Sequence, residues 1–509
     1  MTLRDLLREI PAPHSADVSD ASVGDTNVTA VAYDSRQAGP GSVFVALRGV
    51  NADGASFARE ALSRGAVAVV SEAAAPPDVT RPWIQVADAR LSLAALAAAL
   101  YGQPSEELTL VGITGTNGKT TTSYLLASIF EAAGVRCGRI GTVGHRIGNR
   151  EFEAARTTPE APELQRMLRE MVTAGCGACV MEVSSHALAL RRADRLHFAA
   201  AIFTNLTRDH LDFHRDMEEY FRAKRRLAEL LPDTGVAVTN LDDRRGRDFA
   251  AGARRPVTYA IDAPADVRPG PVAISLDGLS LEVRTPRGLL RLRSPLVGRP
   301  NAYNILAAAA AAMALDVPFN AIEKGIAQLS AVPGRFQVVS DPADDVRVVV
   351  DYAHTDDALK NLLETARPLS AGRVITVFGC GGDRDRTKRP LMGAVAARLS
   401  DLVIITSDNP RSEDPEQIID EVKKGIVMPA DRTPPNAPRA AKSTPHLAIS
   451  DRKAAIERAV REAGPGDLVL IVGKGHEKYQ VIGDRTLPFD DVEVARAALA
   501  RRRTGSRVS

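Results

Sequence analysis

Apolar residues fall along this chain in short runs that alternate with alanine- and leucine-rich stretches of helical spacing. VTAVAYDS, SVFVAL and AVAVVS predict short strands between helices in the first 105 residues, and YGQPSEE (101–107) reads as a linker. LTLVGIT then predicts a strand that passes through glycines into a helix, followed by strands at CVMEV, AAIFTNL and GVAVTN. Such alternation implies a parallel sheet covered by helices. In AISLDGLSLEVRTPRGLLRLR the runs alternate around a D-G and a P-R-G turn, so a β-rich insert is expected. A long alanine helix from Asn301 closes that segment, and VPGRFQ (332–337) marks a second boundary. Beyond it RVVVDYA, RVITVFG, DLVIITSD and DLVLIVGKG alternate with helical stretches as a second doubly wound unit. The expected architecture is α/β in three domains, 1–105, 106–332 and 333–509. MPADRTPPNAPRAAKSTPH (428–446) reads as a surface loop.

Composition narrows the partners. The 65 basic and 63 acidic residues balance, so no single-sign field points to nucleic acid or a membrane. The N-terminus lacks the apolar core of a signal peptide, and the alanine runs are too short to span a bilayer, so a soluble cytoplasmic protein is expected. Cys137, Cys176, Cys179 and Cys380 fit a reducing compartment; CGAC has no further ligands at zinc spacing, and buried thiols are expected.

Chemistry concentrates in a few stretches. GITGTNGKTTT (112–122) joins a strand to a helix, where backbone N–H groups can surround phosphate, Lys119 can offset its charge, and the Thr120 hydroxyl can reach magnesium. It departs from the strict phosphate-loop spacing: Ile113 stands where the first glycine belongs, and Gly112 lies one place further back. Glu182 ends the next strand, on the rim where such sheets place ligands, and is the first metal candidate; Asp209 and His210 follow another strand. His210 and His214 have zinc-helix spacing, but Leu211 stands in place of the glutamate base. Asn301 and Asn304 open a helix, and GCGGDRDRTKRP (379–390) has Arg384 where a dinucleotide fingerprint needs its third glycine. In TSDNPRSEDP (406–415), Asp408, Asn409 and Arg411 around Pro410 offer an acceptor, an amide and a guanidinium fork that could grip an amino acid. The plainer alternative has Ser412 or Asp414 capping the next helix and Arg411 in solvent.

G-T-N-G-K-T-T, E-V-S-S-H, T-R-D-H-L-D-x-H, G-R-x-N-x-Y-N, P-G-R-F, D-Y-A-H-T, G-G-D-R-D, D-N-P-R and G-K-G-H-E occur in one order, and from about Tyr33 to about Asp491 the chain resembles the Mur ligases. The resemblance implies an N-terminal UDP-sugar-binding domain, a central ATPase domain and a Rossmann-like C-terminal domain that carries the incoming amino acid. It implies a peptidoglycan-precursor ligase that uses ATP and magnesium. The carboxylate of UDP-N-acetylmuramoyl-L-alanyl-D-glutamate would attack the γ-phosphate, and an amine would capture the acyl phosphate. Carried over, Gly115, Thr116, Asn117, Gly118, Lys119, Thr120 and Thr121 resemble the ATP loop, with Asn301 and Arg335 meeting the nucleotide. Thr120, Glu182 and His210 resemble metal ligands, and Lys224 matches a lysine that the family carbamylates to N6-carboxylysine; its plainer alternative is a solvated helix lysine. Lys119, Glu182, His210 and Lys224 would be the catalytic set.

Ser35, Asn51, Ala52 and Asp53 match uridine contacts, and Thr157, Thr158, Ser184 and Arg192 match contacts to the muramoyl dipeptide. Leu190, Arg156 and Pro300 depart from the family pattern. Arg384, Asp408, Asn409, Pro410, Arg411, Gly473 and Glu477 match contacts to the amino acid. Members that add meso-diaminopimelate carry D-N-P-R and those that add lysine lack the arginine, which implies meso-diaminopimelate as the amine. The extra carboxylate of that substrate is what a guanidinium fork can bind through two parallel bonds. A monomer is expected. The alternatives are a ligase adding lysine, one extending folate with glutamate, a non-catalytic nucleotide-binding regulator and, last, a dehydrogenase.

Overall fold

The structure, a computed structural model, describes residues 1–11, 24–49, 52–426 and 444–505. It divides into two compact units, one formed by 1–270, 282–291 and 303–328, the other by 271–281, 292–302 and 329–509. The first unit opens with a parallel sheet of β1 (Ala30–Ala32), β2 (Ser42–Ala46), β3 (Ala68–Ser71) and β4 (Trp83–Gln85) in that order. SVFVA of β2 is buried throughout, as a strand covered on both faces must be.

An eight-stranded sheet follows, built from β5 (Thr109–Thr114), β6 (Cys137–Ile140), β7 (His145–Ile147), β8 (Arg150–Phe152), β9 (Ala178–Glu182), β10 (Ala200–Phe203), β11 (Val236–Asn240) and β12 (Arg255–Tyr259). Its order is β12-β11-β10-β5-β9-β6-β7-β8. β5 runs parallel to both neighbours, with Ile113 paired to Glu182 and Thr114 to Phe203. Three carboxyl ends therefore finish level, which makes the rim where doubly wound sheets hold ligands. The hydrophobic pattern does not anticipate β4 or β6 to β8. Arg150–Phe152 is exposed at every residue, so it has no apolar face whose alternation could be read.

The expected insert is a three-stranded sheet of β13 (Arg268–Ser275), β14 (Gly278–Thr285) and β15 (Gly288–Ser294), with Gly278 and Gly288 supplying the positive φ of its turns. The alanine helix begins at Arg299 rather than Asn301 and ends at Ala314. The second unit carries β16 (Gln337–Val338), β17 (Arg347–Asp351), β18 (Val374–Phe378), β19 (Leu402–Ile405), β20 (His446–Ala448) and β21 (Leu468–Val472), ordered β16-β17-β21-β18-β19-β20 and parallel except at β16. A hairpin of β22 (Tyr479–Ile482) and β23 (Arg485–Pro488) follows. Residues 428–443 of the expected proline-rich loop lie outside the described residues. All four cysteines are free and buried, as expected.

Two loops of the second unit are stapled by a fully buried guanidinium. Arg389 gives Nη1 to Glu413 Oε2 (2.9 Å) and Glu421 Oε2 (2.8 Å), and Nη2 to Glu413 Oε1 (2.8 Å) and Gly381 O (3.1 Å). Hydrogen bonds from Arg389, and then from Asp383 N–H, pull Glu413 from 4.5 down to about 2. A depressed carboxylate stabilises the fold above its ordinary range, and that stability is lost as pH falls through the folded value. Arg389→Met is expected to lower stability by about 3 kcal/mol at neutral pH, because it strands two carboxylates. It should also flatten the loss of stability expected of the native protein between pH 4.5 and about 2. Urea midpoints across that range check both outcomes.

Candidate active site

The glycine loop lies where the sequence places it. Gly118, at φ +87°, precedes the helix Lys119–Ala132, and Gly115 stands at φ +142°. Neither accepts a side chain: a Cβ on Gly115 would strike Thr204 Oγ1, and one on Gly118 would strike Asn304 Oδ1. Asn304, a ligand-holding candidate in the sequence, thus lies against the loop. Lys119 folds back, its Nζ donating to Gly115 O (2.9 Å) and Thr116 O (2.8 Å). Asn117 N–H donates to Asn205 Oδ1 (2.9 Å), which ties the loop to the segment after β10. Thr120 and Thr121 are buried in the first helical turn.

Lys224 is the main departure from the plainer expectation. It is 1% exposed, not solvated, and its Nζ donates to the same Gly115 O at 2.7 Å. The reason is helical spacing: Tyr220, Lys224 and Leu227 share one face of the helix Met217–Glu229, which Asp216 caps by accepting from Glu219 N–H (2.8 Å). Burial first, and the Lys119 charge second, push its ammonium well below the usual lysine range; Asp209 opposes them. A neutral amine is thereby favoured at this position.

Glu182, 1% exposed at the end of β9, accepts from Thr120 Oγ1 (3.0 Å), Thr142 Oγ1 (3.0 Å) and Thr142 N–H (2.9 Å). His210 stands in the loop after β10 at φ +53°, half-exposed, with Nε2 3.4 Å from Asp209 Oδ2. Among the described residues no group of three or more His, Cys, Asp or Glu is arranged to hold a metal ion. Magnesium asks for less: one or two carboxylates, with phosphate and water completing its shell. The hydroxyl of Thr120 and the carboxylate of Glu182 have that oxygen chemistry, side by side on the rim.

Next to Glu182 the dipeptide candidates form one network. Thr158 Oγ1 donates to Glu182 O (2.9 Å) and accepts from Ser184 N–H (3.1 Å), and Thr157 Oγ1 lies 3.0 Å from Thr142 Oγ1. Arg192 gives Nη1 to Thr158 O (3.1 Å) and pairs with Glu160 (2.8 Å). Arg156 pairs with that same Glu160 at 2.8 Å, which gives this departing residue a local structural partner. In the N-terminal sheet Ser35 Oγ donates to Glu60 Oε2 (2.8 Å), and Asp53 Oδ1 accepts from Ala55 N–H (3.0 Å). Ala52 is exposed, and Asn51 lies outside the described residues.

In the second unit Asn301 Nδ2 donates to Val297 O (2.8 Å), and the Arg335 guanidinium lies 4.7 Å from the Tyr352 ring centroid. The strand β19 delivers Asp408, Asn409 and Pro410, all buried. Arg411 is half-buried at φ +51°, not loose in solvent: its Nη1 donates to Gly382 O (2.7 Å), its N–H to Val481 O (3.1 Å), and its O accepts from Gly483 N–H (2.8 Å). Part of the plainer alternative also holds, since Asp414 Oδ1 accepts from Glu416 N–H (3.0 Å) where the next helix starts. Asn409 Nδ2 donates to Glu477 Oε2 (2.9 Å), and a Cβ on Gly473 would meet Asp408 Oδ2 at 2.6 Å. Arg384 is exposed on the neighbouring loop. Sequence reasoning missed Lys474, 0% exposed, whose Nζ donates to Asn409 Oδ1 (3.0 Å) and Glu477 Oε2 (3.2 Å). The available signal was a lysine set between two glycines directly after a strand buried throughout.

The chain matches "Mur ligase family, catalytic domain" over residues 27–101, "Mur ligase middle domain" over 113–312 and "Mur ligase, glutamate ligase domain" over 334–475. It is 47% identical over 502 residues to the UDP-N-acetylmuramoyl-L-alanyl-D-glutamate--2,6-diaminopimelate ligase of Solibacter usitatus, covering 98% of each chain. It is 46% identical over 481 residues to the protein of that name from Gloeobacter violaceus, covering 94% of this chain and 95% of the other. A solved structure of a ligase with that name superposes with a TM-score of 0.71 at 34% identity over 99% of both chains. MurF from Acinetobacter baumannii shares the fold at 19% identity, with a TM-score of 0.61 over 92% of this chain and 95% of the other.

Proposed function

The chain belongs to the Mur ligase family, and from that premise we propose that it joins meso-2,6-diaminopimelate to the D-glutamate carboxylate of UDP-N-acetylmuramoyl-L-alanyl-D-glutamate, converting ATP to ADP and phosphate. The observation that carries this reading is whole-length similarity to ligases of that name, together with the preset conformation of the loop Asp408–Arg411. The substrate carboxylate attacks the γ-phosphorus, the bond to the β-phosphate oxygen breaks, and the acyl phosphate that forms is attacked by the neutral amine. Phosphate then leaves as the amide forms. No enzyme nucleophile is needed, so positioning and charge carry the catalysis.

In this assignment the loop Gly115–Gly118 and the start of the helix Lys119–Ala132 hold the terminal phosphates. Lys119 swings from its two carbonyl partners to the β- and γ-oxygens, and Thr121 belongs to the same loop; Asn301 and Arg335, in the second unit, are assigned to the nucleotide on family resemblance. Thr120, Glu182, His210 and Lys224 would hold magnesium, which when bound supplies positive charge to the transferring phosphoryl group. Lys224 takes that role only as a carbamate: its buried amine, favoured neutral, adds to carbon dioxide and, on losing a proton to solvent, becomes an anion. Ser35, Ala52 and Asp53 are assigned to the uridine, as is Asn51, which lies outside the described residues, and Thr157, Thr158, Ser184 and Arg192 are assigned to the dipeptide. Among the described residues no helix is long and apolar enough to cross a membrane; a monomeric cytoplasmic enzyme is the corresponding proposal, with light scattering as the check on mass.

Purified protein given ATP, magnesium, the UDP-muramoyl dipeptide and meso-diaminopimelate is expected to release phosphate and ADP, and to release neither at that rate when the dipeptide or the amine is omitted. AMP with pyrophosphate would overturn the mechanism. Turnover with lysine equal to that with diaminopimelate would overturn the choice of amine.

A further inference from the structure

We infer that Lys474 and Gln480 are positioning residues that preset the amine-recognition loop, an inference that rests on the assignment of Asp408, Asn409, Arg411 and Glu477 to the amine substrate. An ammonium removed from water needs close partners, and each partner here belongs to that substrate site. Besides Asn409 Oδ1 and Glu477 Oε2, the Lys474 Nζ stands 3.6 Å from Asp408 Oδ1. With its side chain fully buried, Lys474 acts through these residues rather than on a ligand arriving from solvent.

The consequences are specific. Asn409 Oδ1 accepts from both Lys474 Nζ (3.0 Å) and Val481 N–H (2.9 Å). An ammonium only donates, so it fixes which end of the amide faces it and turns Nδ2 toward Glu477 (2.9 Å). The ammonium also lies between two carboxylates, 3.6 Å from Asp408 and 3.2 Å from Glu477, and so holds Glu477 in place for the distant ammonium of the substrate. From the other side Gln480, buried on β22, donates Nε2 to Asp408 O at 2.7 Å. The same strand takes Arg411 N–H at Val481 O (3.1 Å), and Gly483 N–H closes on Arg411 O (2.8 Å). Arg411 has no glycine's freedom at φ +51°, so this strand is what holds its backbone there. Lys474 therefore sets the polarity of the pocket, and β22 sets the direction of the guanidinium.

Lys474→Met keeps the length of the side chain and removes its charge. The expected result is a KM for diaminopimelate raised about tenfold or more, with KM for ATP and for the UDP-dipeptide essentially unchanged. In a cycle with Glu477→Gln, the double variant should cost clearly less than the product of the two single effects, because part of what Lys474 does passes through that carboxylate. Gln480→Leu should raise the same KM about threefold or more, and it carries the test by itself if Lys474→Met fails to fold, as judged by its thermal transition. Equal effects on all three substrates, no effect on any, or independent multiplication in the cycle would overturn the inference. Absence of diaminopimelate-dependent phosphate release in the unmodified enzyme would instead overturn the assignment beneath it.

Discussion

Lys224→Met is expected to cut phosphate release by at least about a thousandfold while leaving the fold as stable as before, or more stable by about 1 kcal/mol. The two halves of this outcome come from one geometry. Lys224 is buried and donates to Gly115 O at 2.7 Å, an oxygen that also takes the Lys119 ammonium at 2.9 Å. Two donors crowded on one carbonyl, one of them a buried amine removed from water, cost the fold energy. Methionine fills similar volume and removes that cost. A lysine kept for structure would behave in the opposite way, with stability and activity falling together. Intact-mass analysis adds an independent readout, since the native protein should carry one added carbon dioxide that the variant lacks. Thermal midpoints, phosphate release and mass together decide the role: a destabilised variant with a proportionate loss of activity would overturn it.

What the sequence discloses depends on how local each feature is. The loop from Gly115 to Thr121 is contiguous and joins a buried strand to a helix, so residue types alone place its N–H groups and Lys119 together. Glu182 is legible because it closes an apolar run, and strand ends in such sheets face the ligand. Lys224 carries a weaker signal, the i, i+4, i+7 spacing of Tyr220, Lys224 and Leu227, which places a lysine on the buried face and so argues against a solvated one. Lys474 has no such pattern: its partners Asp408 and Asn409 lie 66 and 65 positions away along the chain, and only the adjacency of β18, β19 and β21 brings them together. The left-handed backbone of Arg411 is equally hidden, since the residue is not a glycine and a separate strand holds it there. Edge strands such as Arg150–Phe152 escape for a different reason, having no buried face to impose a pattern.

Arg411→Gly should collapse the preference for diaminopimelate over lysine from about ten-thousandfold to about tenfold, chiefly by raising the KM for diaminopimelate. A large native ratio is expected because diaminopimelate brings a carboxylate that lysine lacks. With lysine bound, the guanidinium would be left without the partner for which its fork is placed. One arm is already committed, Nη1 to Gly382 O at 2.7 Å, and this hydrogen bond holds the plane of the group while leaving Nε and Nη2 for a second, parallel pair of bonds. Glycine is the better test than alanine because the backbone sits at φ +51°. Alanine there adds backbone strain of about 1 kcal/mol, whereas glycine removes the side chain without it. If Arg411→Gly and Arg411→Ala lose the preference equally while KM for ATP holds in both, the guanidinium is the discriminator. Should the glycine variant keep the native preference, the amine would be chosen by another group, and the turn at residue 411 would matter only as a backbone device.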